Sequence, residues 1–168
     1  YAVKAMHAVH MMVEGHFFPM QEYLRSQAGN SRSCNVPEVA ALVLISLGKD
    51  PSAADLADQS EMECMKHVCS LLTELAQGPN LHNQEFLSSF GIIETVFKIL
   101  AVSFERFRRA AGELYPPYVR RLKAQLVQVL LALLEGRLDT AIHGTMLQRV
   151  DAHVIRLRLQ FVYPPYVR

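Results

Sequence analysis

The stretch NVPEVAALVLISLG, residues 35–48, carries the clearest helix signals in the chain. Asn35 suits an N-cap with Glu38 three residues on, and Pro37 falls in the first turn, where a backbone N–H is not needed. The residues that follow are apolar nearly all round, until Gly48 can end the helix. We therefore predict a helix that ends before Gly48 and lies at the centre of the fold.

The same helical period continues on both sides of this stretch. Apolar residues recur three or four positions apart, and no run of four or more residues alternates strictly with β-branched enrichment. We predict further helices over residues 2–14, 19–27, 61–77, 83–90, 92–111, 118–135, 138–150 and 151–162, with a polar loop over 49–60. About eight or nine helices with short links predict an all-α fold, either an irregular helical bundle or a segment of an armadillo-like α-solenoid.

Length and composition favour one cytosolic domain. The chain has 168 residues, of which 51% are hydrophobic, and we predict a helical domain over residues 1–160 and a tail over 161–168. The tail holds a second copy of YPPYVR, which first occurs at residues 115–120. Three sparse cysteines suit a reducing compartment. The longest apolar runs are shorter than the roughly 20 residues of a membrane-spanning helix, so we do not expect membrane insertion.

The net charge of +1 conceals two halves of opposite sign. Residues 1–100 hold 6 basic and 11 acidic side chains, a net charge of −5, whereas residues 101–168 hold 11 and 5, a net charge of +6. The near-zero total argues against a nucleic-acid-binding protein. We expect the basic helices, from Arg106 onward, to face acidic neighbours in a parent protein or in the first half of this chain.

The sequence contains no recognisable catalytic motif. It lacks a Gly-rich phosphate loop, a G-x-S-x-G nucleophile motif and an H-E-x-x-H zinc motif, so we do not expect an enzyme. His7 and His10, together with Cys64, His67 and Cys69, are possible zinc ligands at helical spacing. We favour the structural alternative, because cysteine and histidine on apolar helices are usually core or half-buried residues.

Two carboxylates occupy unfavourable positions on predicted helices. Glu14 and Glu74 each lie near a helix C-terminus, within four residues of a Gly. The negative end of the helix macrodipole disfavours a carboxylate there by about 0.3–1 kcal/mol. We therefore expect a positive group near each of them. An ordinary ion pair or a solvated surface glutamate remains the alternative explanation.

Three segments resemble, in the same order, the RIH-associated domain shared by ryanodine receptors and inositol trisphosphate receptors. They are MVEGH (12–16) continued by QEYLRSQAGN (21–30), LTELAQGP (72–79) followed by Asn83-Gln84, and LALLEGR (131–137). The resemblance implies a helical domain of a homotetrameric calcium-release channel, on the cytosolic face of the endoplasmic reticulum membrane. It also implies contacts with other cytosolic and C-terminal domains of the same channel.

The resemblance further implies a regulatory Ca²⁺ site. The family's two carboxylate ligands match Glu14 and Glu74, and the residues that line the same site match His16 and Gln77. The remaining protein ligand is a backbone carbonyl from a segment outside this chain. Because Ca²⁺ takes about six to eight oxygens and two carboxylates offer at most four, the site is incomplete alone. We predict a Ca²⁺-sensing domain coupled to pore opening; the alternative is a non-enzymatic helical scaffold for protein–protein contacts.

Overall fold

The computed structural model describes residues 2–49, 59–102 and 117–149. In chain order their helices are α1 (Ala2–Val13), α2 (Phe18–Arg25), α3 (Val36–Leu47), α4 (Gln59–Ala76), α5 (Leu81–Ser89), α6 (Ile92–Ala101), α7 (Pro117–Leu134) and α8 (Ala141–Arg149). All regular structure in these ranges is helical, which confirms the predicted all-α class. The prediction that the sixth helix runs on to residue 111 is wrong, because α6 ends at Ala101 and its C-cap Val102 has a non-helical backbone. Residues 50–58 of the predicted loop, the last predicted helix and the tail lie outside the described residues.

Most helix ends lie where local signals predict them. The Asn35 side chain accepts a hydrogen bond from the Glu38 backbone N–H at 3.2 Å, which confirms the N-cap of α3. The start of α8 is three residues later than predicted. Asp139 accepts a hydrogen bond from the Ala141 N–H at 3.1 Å, so it caps the helix and leaves Leu138 fully exposed outside it.

Helix α4 lies at the centre of the described core. It packs against α1, α3, α5 and α7. The side chains of one apolar stripe along α4 are completely buried; they are Met65, Val68, Leu72 and Leu75. Burying each such side chain contributes about 1.5–3 kcal/mol, so this stripe is a main source of stability. None of the eight described helices combines the length and apolar character that a bilayer span requires.

The prediction that α3 is the central helix is wrong. One face of α3 is buried through Ala40, Ala41 and Leu44, but Val39 and Leu42 on the opposite face are 41% and 50% exposed. The two small alanines let α3 approach its neighbours on one side only. An apolar sequence therefore did not require burial all round.

Candidate functional site

The last turn of α4 is held by the side chain of Gln21, a fully buried residue of α2. Its Nε2 donates hydrogen bonds to the Glu74 carbonyl at 2.5 Å and to the Gln77 carbonyl at 2.9 Å. Its Oε1 accepts a hydrogen bond from Asn80 Nδ2 at 3.2 Å. Because the last carbonyls of a helix have no partner within the helix, this amide satisfies groups that would otherwise be unpaired.

Two buried side-chain amides of α5 also donate hydrogen bonds to backbone carbonyls at helix ends. Asn83 and Gln84 are both completely buried. Their donors reach the ends of α4 and α7 through four hydrogen bonds: Asn83 Nδ2 to the Leu75 carbonyl at 2.8 Å, and Gln84 Nε2 to the carbonyls of Ala76, Ala132 and Glu135 at 3.3, 2.9 and 3.0 Å. The ends of α4 and α7 are therefore joined through α5.

Two glycines allow the chain to pack closely at this point. A Cβ added to Gly78, whose φ is 102°, would lie 2.9 Å from the Cβ of His16. A Cβ added to Gly136 would lie 2.5 Å from Pro79 Cγ. In addition, the Gly78 N–H donates to Glu135 Oε2 at 3.3 Å. The three segments that carry the sequence resemblance thus meet around the end of α4.

The carboxylate of Glu74 lies within this junction. Its side chain is 17% exposed, and His16 Nδ1 lies 3.2 Å from its Oε2. That Oε2 is buried and accepts no hydrogen bond of good geometry from the described residues. A buried acceptor without a donor costs about 1–3 kcal/mol, and more when it is charged. The close contact with His16 is therefore an ion pair only when the imidazole is protonated.

His16 itself has an uncommon backbone conformation. Its φ is 60°, and it is the one residue other than glycine with a positive φ in the described ranges. Such a conformation costs about 1 kcal/mol or more for a non-glycine residue. The turn between α1 and α2 therefore accepts strain that places the imidazole against Glu74.

Of the four predicted site residues, His16, Glu74 and Gln77 lie close together, whereas Glu14 has no hydrogen bond or ion pair with them in the described ranges. His16 and Glu74 are in contact, and Gln77 lies one helical turn from Glu74, half-buried, with its carbonyl fixed by Gln21. Glu14 is exposed in the turn that follows α1. Within the described ranges, Glu14 forms no hydrogen bond or ion pair with the other three. The group that lies nearest to the position expected for a positive partner of Glu74 is the His16 imidazole, whereas Glu14 has no ion-pair partner among the described residues.

The donor set at this junction fits part of a Ca²⁺ site. The buried Glu74 Oε2 is an oxygen that a cation would satisfy, and Glu14 lies in the same turn as His16. Across the described ranges, no three or more His, Cys, Asp or Glu side chains converge as a metal site. Because Ca²⁺ takes about six to eight oxygens, Glu14 and Glu74 alone could not complete a Ca²⁺ site.

Sequence reasoning assigned no role to the amides at this junction. Gln21 and Asn83-Gln84 lie inside the segments that carry the resemblance, but the hydrogen bonds of Gln21 to the end of α4 and of Gln84 to the end of α7 join residues 48–56 positions apart. One signal was available in the sequence. Gln21 lies three residues before Leu24 and Gln84 three residues before Leu87, and both leucines are buried. A polar residue on the apolar face of a helix indicates a buried hydrogen-bonding role.

The possible zinc ligands lie in different environments. The His7 ring lies 6.3 Å from the His10 ring and 5.7 Å from the His67 ring, measured between centroids, so the three imidazoles group on the α1–α4 face. Cys69 is completely buried, and burial raises the pKa of its thiol to about 12. Burial also raises the pKa of Cys64. The Cys69 thiol is therefore neutral. Because metal binding needs the thiolate, Cys69 is better described as a core residue than as a zinc ligand.

In the part of the chain that the structure describes, ion pairs join the acidic half to the basic half. Arg137 Nη2 lies 3.2 Å from Glu85 Oε1, and Arg149 Nη2 lies 3.7 Å from Glu94 Oε2. The Arg137 side chain is only 5% exposed. Part of the basic second half thus faces the first half of this chain, which is one of the two alternatives that the charge pattern predicts.

Comparison with known protein families gives one match. Residues 2–100 match the family described as RyR and IP3R Homology associated. The match covers 99 of the 168 residues, and it includes α1 to α5 and nearly all of α6. A search of curated proteins found no match.

Proposed function

Because the chain belongs to the RyR and IP3R homology associated family, we propose that it is a regulatory domain of an intracellular calcium-release channel. In this proposal the domain lies on the cytosolic face of the endoplasmic reticulum membrane, within a homotetrameric channel. It senses Ca²⁺ and contacts the other cytosolic and C-terminal domains of that channel. It carries out no enzymatic reaction.

The buried Glu74 Oε2, which lacks a hydrogen-bond donor, supports the sensor proposal. It lies in a junction where the neighbouring backbone carbonyls are satisfied by buried amides. A buried carboxylate oxygen without a hydrogen-bond donor favours the binding of a cation. His16 Nδ1 lies 3.2 Å from this oxygen, so the imidazole borders the position that a cation would take.

Glu14 and the oxygens supplied from outside this chain make the proposed site responsive to Ca²⁺. Glu14 is exposed and unpaired among the described residues, so its carboxylate is available to join Glu74 around one ion. Two carboxylates repel one another until a cation neutralises them. When a segment outside this chain supplies further oxygens, Ca²⁺ binds more tightly to the arrangement in which that segment is docked. Ca²⁺ then shifts the population of domain arrangements, and this shift changes how often the pore is open.

Neutralising the carboxylates one at a time tests the proposal. In the parent channel, Glu74→Gln and Glu14→Gln should each move Ca²⁺ activation to higher concentration by about tenfold or more, since each removes a charged ligand. Glu94→Gln, an exposed glutamate on α6, is the matched control and should leave activation unchanged. Single-channel open probability against Ca²⁺ concentration measures the shift. Unchanged activation in both site variants would rule out the sensor.

A helical scaffold is the second candidate, and exposed apolar side chains favour it. Val39 and Leu42 on α3 are 41% and 50% exposed, and Val127 and Leu131 on α7 are 43% and 54% exposed. Each pair lies on one face of its helix, as in helices that pack against a neighbour in an assembly. Under this alternative Glu14 and Glu74 are structural, and their neutralisation changes stability but not Ca²⁺ activation.

A further inference from the structure

We infer that Gln21 is a positioning residue for the proposed Ca²⁺ site, which it shapes without touching the ion. This inference rests on the proposed function, because it assigns a role within the same site. No part of the family resemblance gives Gln21 this role.

The donor end of Gln21 fixes the turn that carries two proposed site residues. Its Nε2 bonds the carbonyls of Glu74 and Gln77 at 2.5 and 2.9 Å. These residues are one helical turn apart, so a single amide spans the backbone segment from which both side chains project. The position of the Glu74 carboxylate relative to Gln77 therefore depends on this contact.

The acceptor end of Gln21 fixes the orientation of the amide. Its Oε1 accepts from Asn80 Nδ2 at 3.2 Å, and the same Asn80 nitrogen donates to Glu22 Oε1 at 3.1 Å. Asn80 is held in turn, because its Oδ1 accepts from the Asn83 N–H at 3.0 Å as the N-cap of α5. Exchanging the oxygen and nitrogen of Gln21 would lose three hydrogen bonds, so the amide has one productive orientation.

Gln21 also anchors the turn that holds the other two proposed site residues. Glu14 and His16 lie between α1 and α2, and this turn is tied to the core at both ends. Val13 is completely buried at its start, while Gln21 and Leu24 are the two buried residues of α2 that follow it. Gln21 thus connects the Glu14–His16 turn to the Glu74–Gln77 turn and sets the distance between them.

Replacing Gln21 by methionine, which has similar size but no hydrogen bonds, tests this role. Gln84→Met is the matched control. Gln84 is equally buried and also donates to helix C-terminal carbonyls, but mostly to those of α7. Both variants should lower the urea midpoint of the 168-residue chain. Only Gln21→Met should also weaken Ca²⁺ binding strongly, by about 10- to 100-fold, as when the partner of a metal ligand is lost.

The measurement is a calorimetric titration with Ca²⁺, carried out on the wild-type chain and on each full-length variant. If Gln21→Met and Gln84→Met weaken Ca²⁺ binding equally, or Gln21→Met binds as wild type, the positioning role is wrong while the proposed site stands. If Glu74→Gln and Glu14→Gln leave Ca²⁺ activation of the parent channel unchanged, the proposed function fails and this inference fails with it. Should Gln21→Met not fold, Gln21→Asn keeps the amide but is too short to reach both carbonyls. It should weaken Ca²⁺ binding to an intermediate degree, and wild-type affinity in that variant would overturn the inference.

Discussion

At the scale of single residues, Glu22 joins α2 to the start of α5. It accepts hydrogen bonds from Arg25 and from Asn80, and His82 Nδ1 lies 3.7 Å from its Oε2. Burial alone raises the pKa of Glu22, but the hydrogen bonds from Arg25 and Asn80 and the charges of Arg25 and His82 together lower it below its ordinary 4.5. The ionised form of Glu22 is therefore the form that stabilises the fold.

Neutralising Glu22 should produce a loss of stability that depends on pH. A lowered folded-state pKa means that the stabilisation is fully present above pH 4.5 and is lost as the pH falls through the folded-state pKa. Glu22→Gln should therefore lower the free energy of unfolding near pH 7 by about 0.5–1 kcal/mol, the value of a partly exposed ion pair. The difference from wild type should shrink towards about pH 3. Urea denaturation at both pH values measures it, and an equal loss at the two would contradict this explanation.

Substitution of Gly78 separates two effects on stability, the strain of a left-handed backbone and the close contact with His16. Gly78 has a φ of 102° and lies against His16, whereas Gly29 has a φ of 90° with nothing within 4 Å of an added Cβ. Alanine at either position is strained by about 1 kcal/mol because of the left-handed backbone. Gly78→Ala should cost about 1–3 kcal/mol more, since the methyl group displaces His16 from Glu74. Thermal unfolding measures both, and equal losses would show that the His16 contact is not tight.

At the scale of helices, α4 and α3 show what sequence patterns can and cannot predict. The buried stripe of α4 and the N-cap of α3 depend on local spacing, so they could be predicted. The exposed face of α3 could not, because which face packs is decided by neighbouring helices. Similarly, the position of Glu74 near a helix C-terminus could be predicted, but the hydrogen bond from Gln21 to its carbonyl could not. Gln21 lies 53 residues from Glu74 and 56 from Gln77, and no local pattern joins positions that far apart.

A pair of leucine substitutions tests the different burial of these two helices. Leu72 on α4 is completely buried, and Leu42 on α3 is 50% exposed. Leu72→Ala should lower the free energy of unfolding by about 2–5 kcal/mol, because it leaves a cavity in the core. Leu42→Ala should change it by about 0.5 kcal/mol or less. Chemical denaturation of the 168-residue chain gives both values, and comparable losses would mean that α3 is as buried as its sequence suggested.

At the scale of the whole molecule, the described residues beyond the family match belong to the same packed unit. The match ends at residue 100, but α7 packs along α4, and Gly136 lies against Pro79. Gln84 bonds the end of α7 directly. The ion pairs of Arg137 with Glu85 and of Arg149 with Glu94 join the oppositely charged halves.

A structure of the parent channel determined in millimolar Ca²⁺ tests most directly the proposal that Glu74 and Glu14 bind this ion together, because the channel includes the segment that supplies the remaining oxygens. We expect an ion within about 2.3–2.6 Å of a carboxylate oxygen of each glutamate. We also expect His16 to have moved away from Glu74 Oε2. Glu74 Oε2 still in contact with His16, with no ion at either carboxylate under saturating Ca²⁺, would contradict the account.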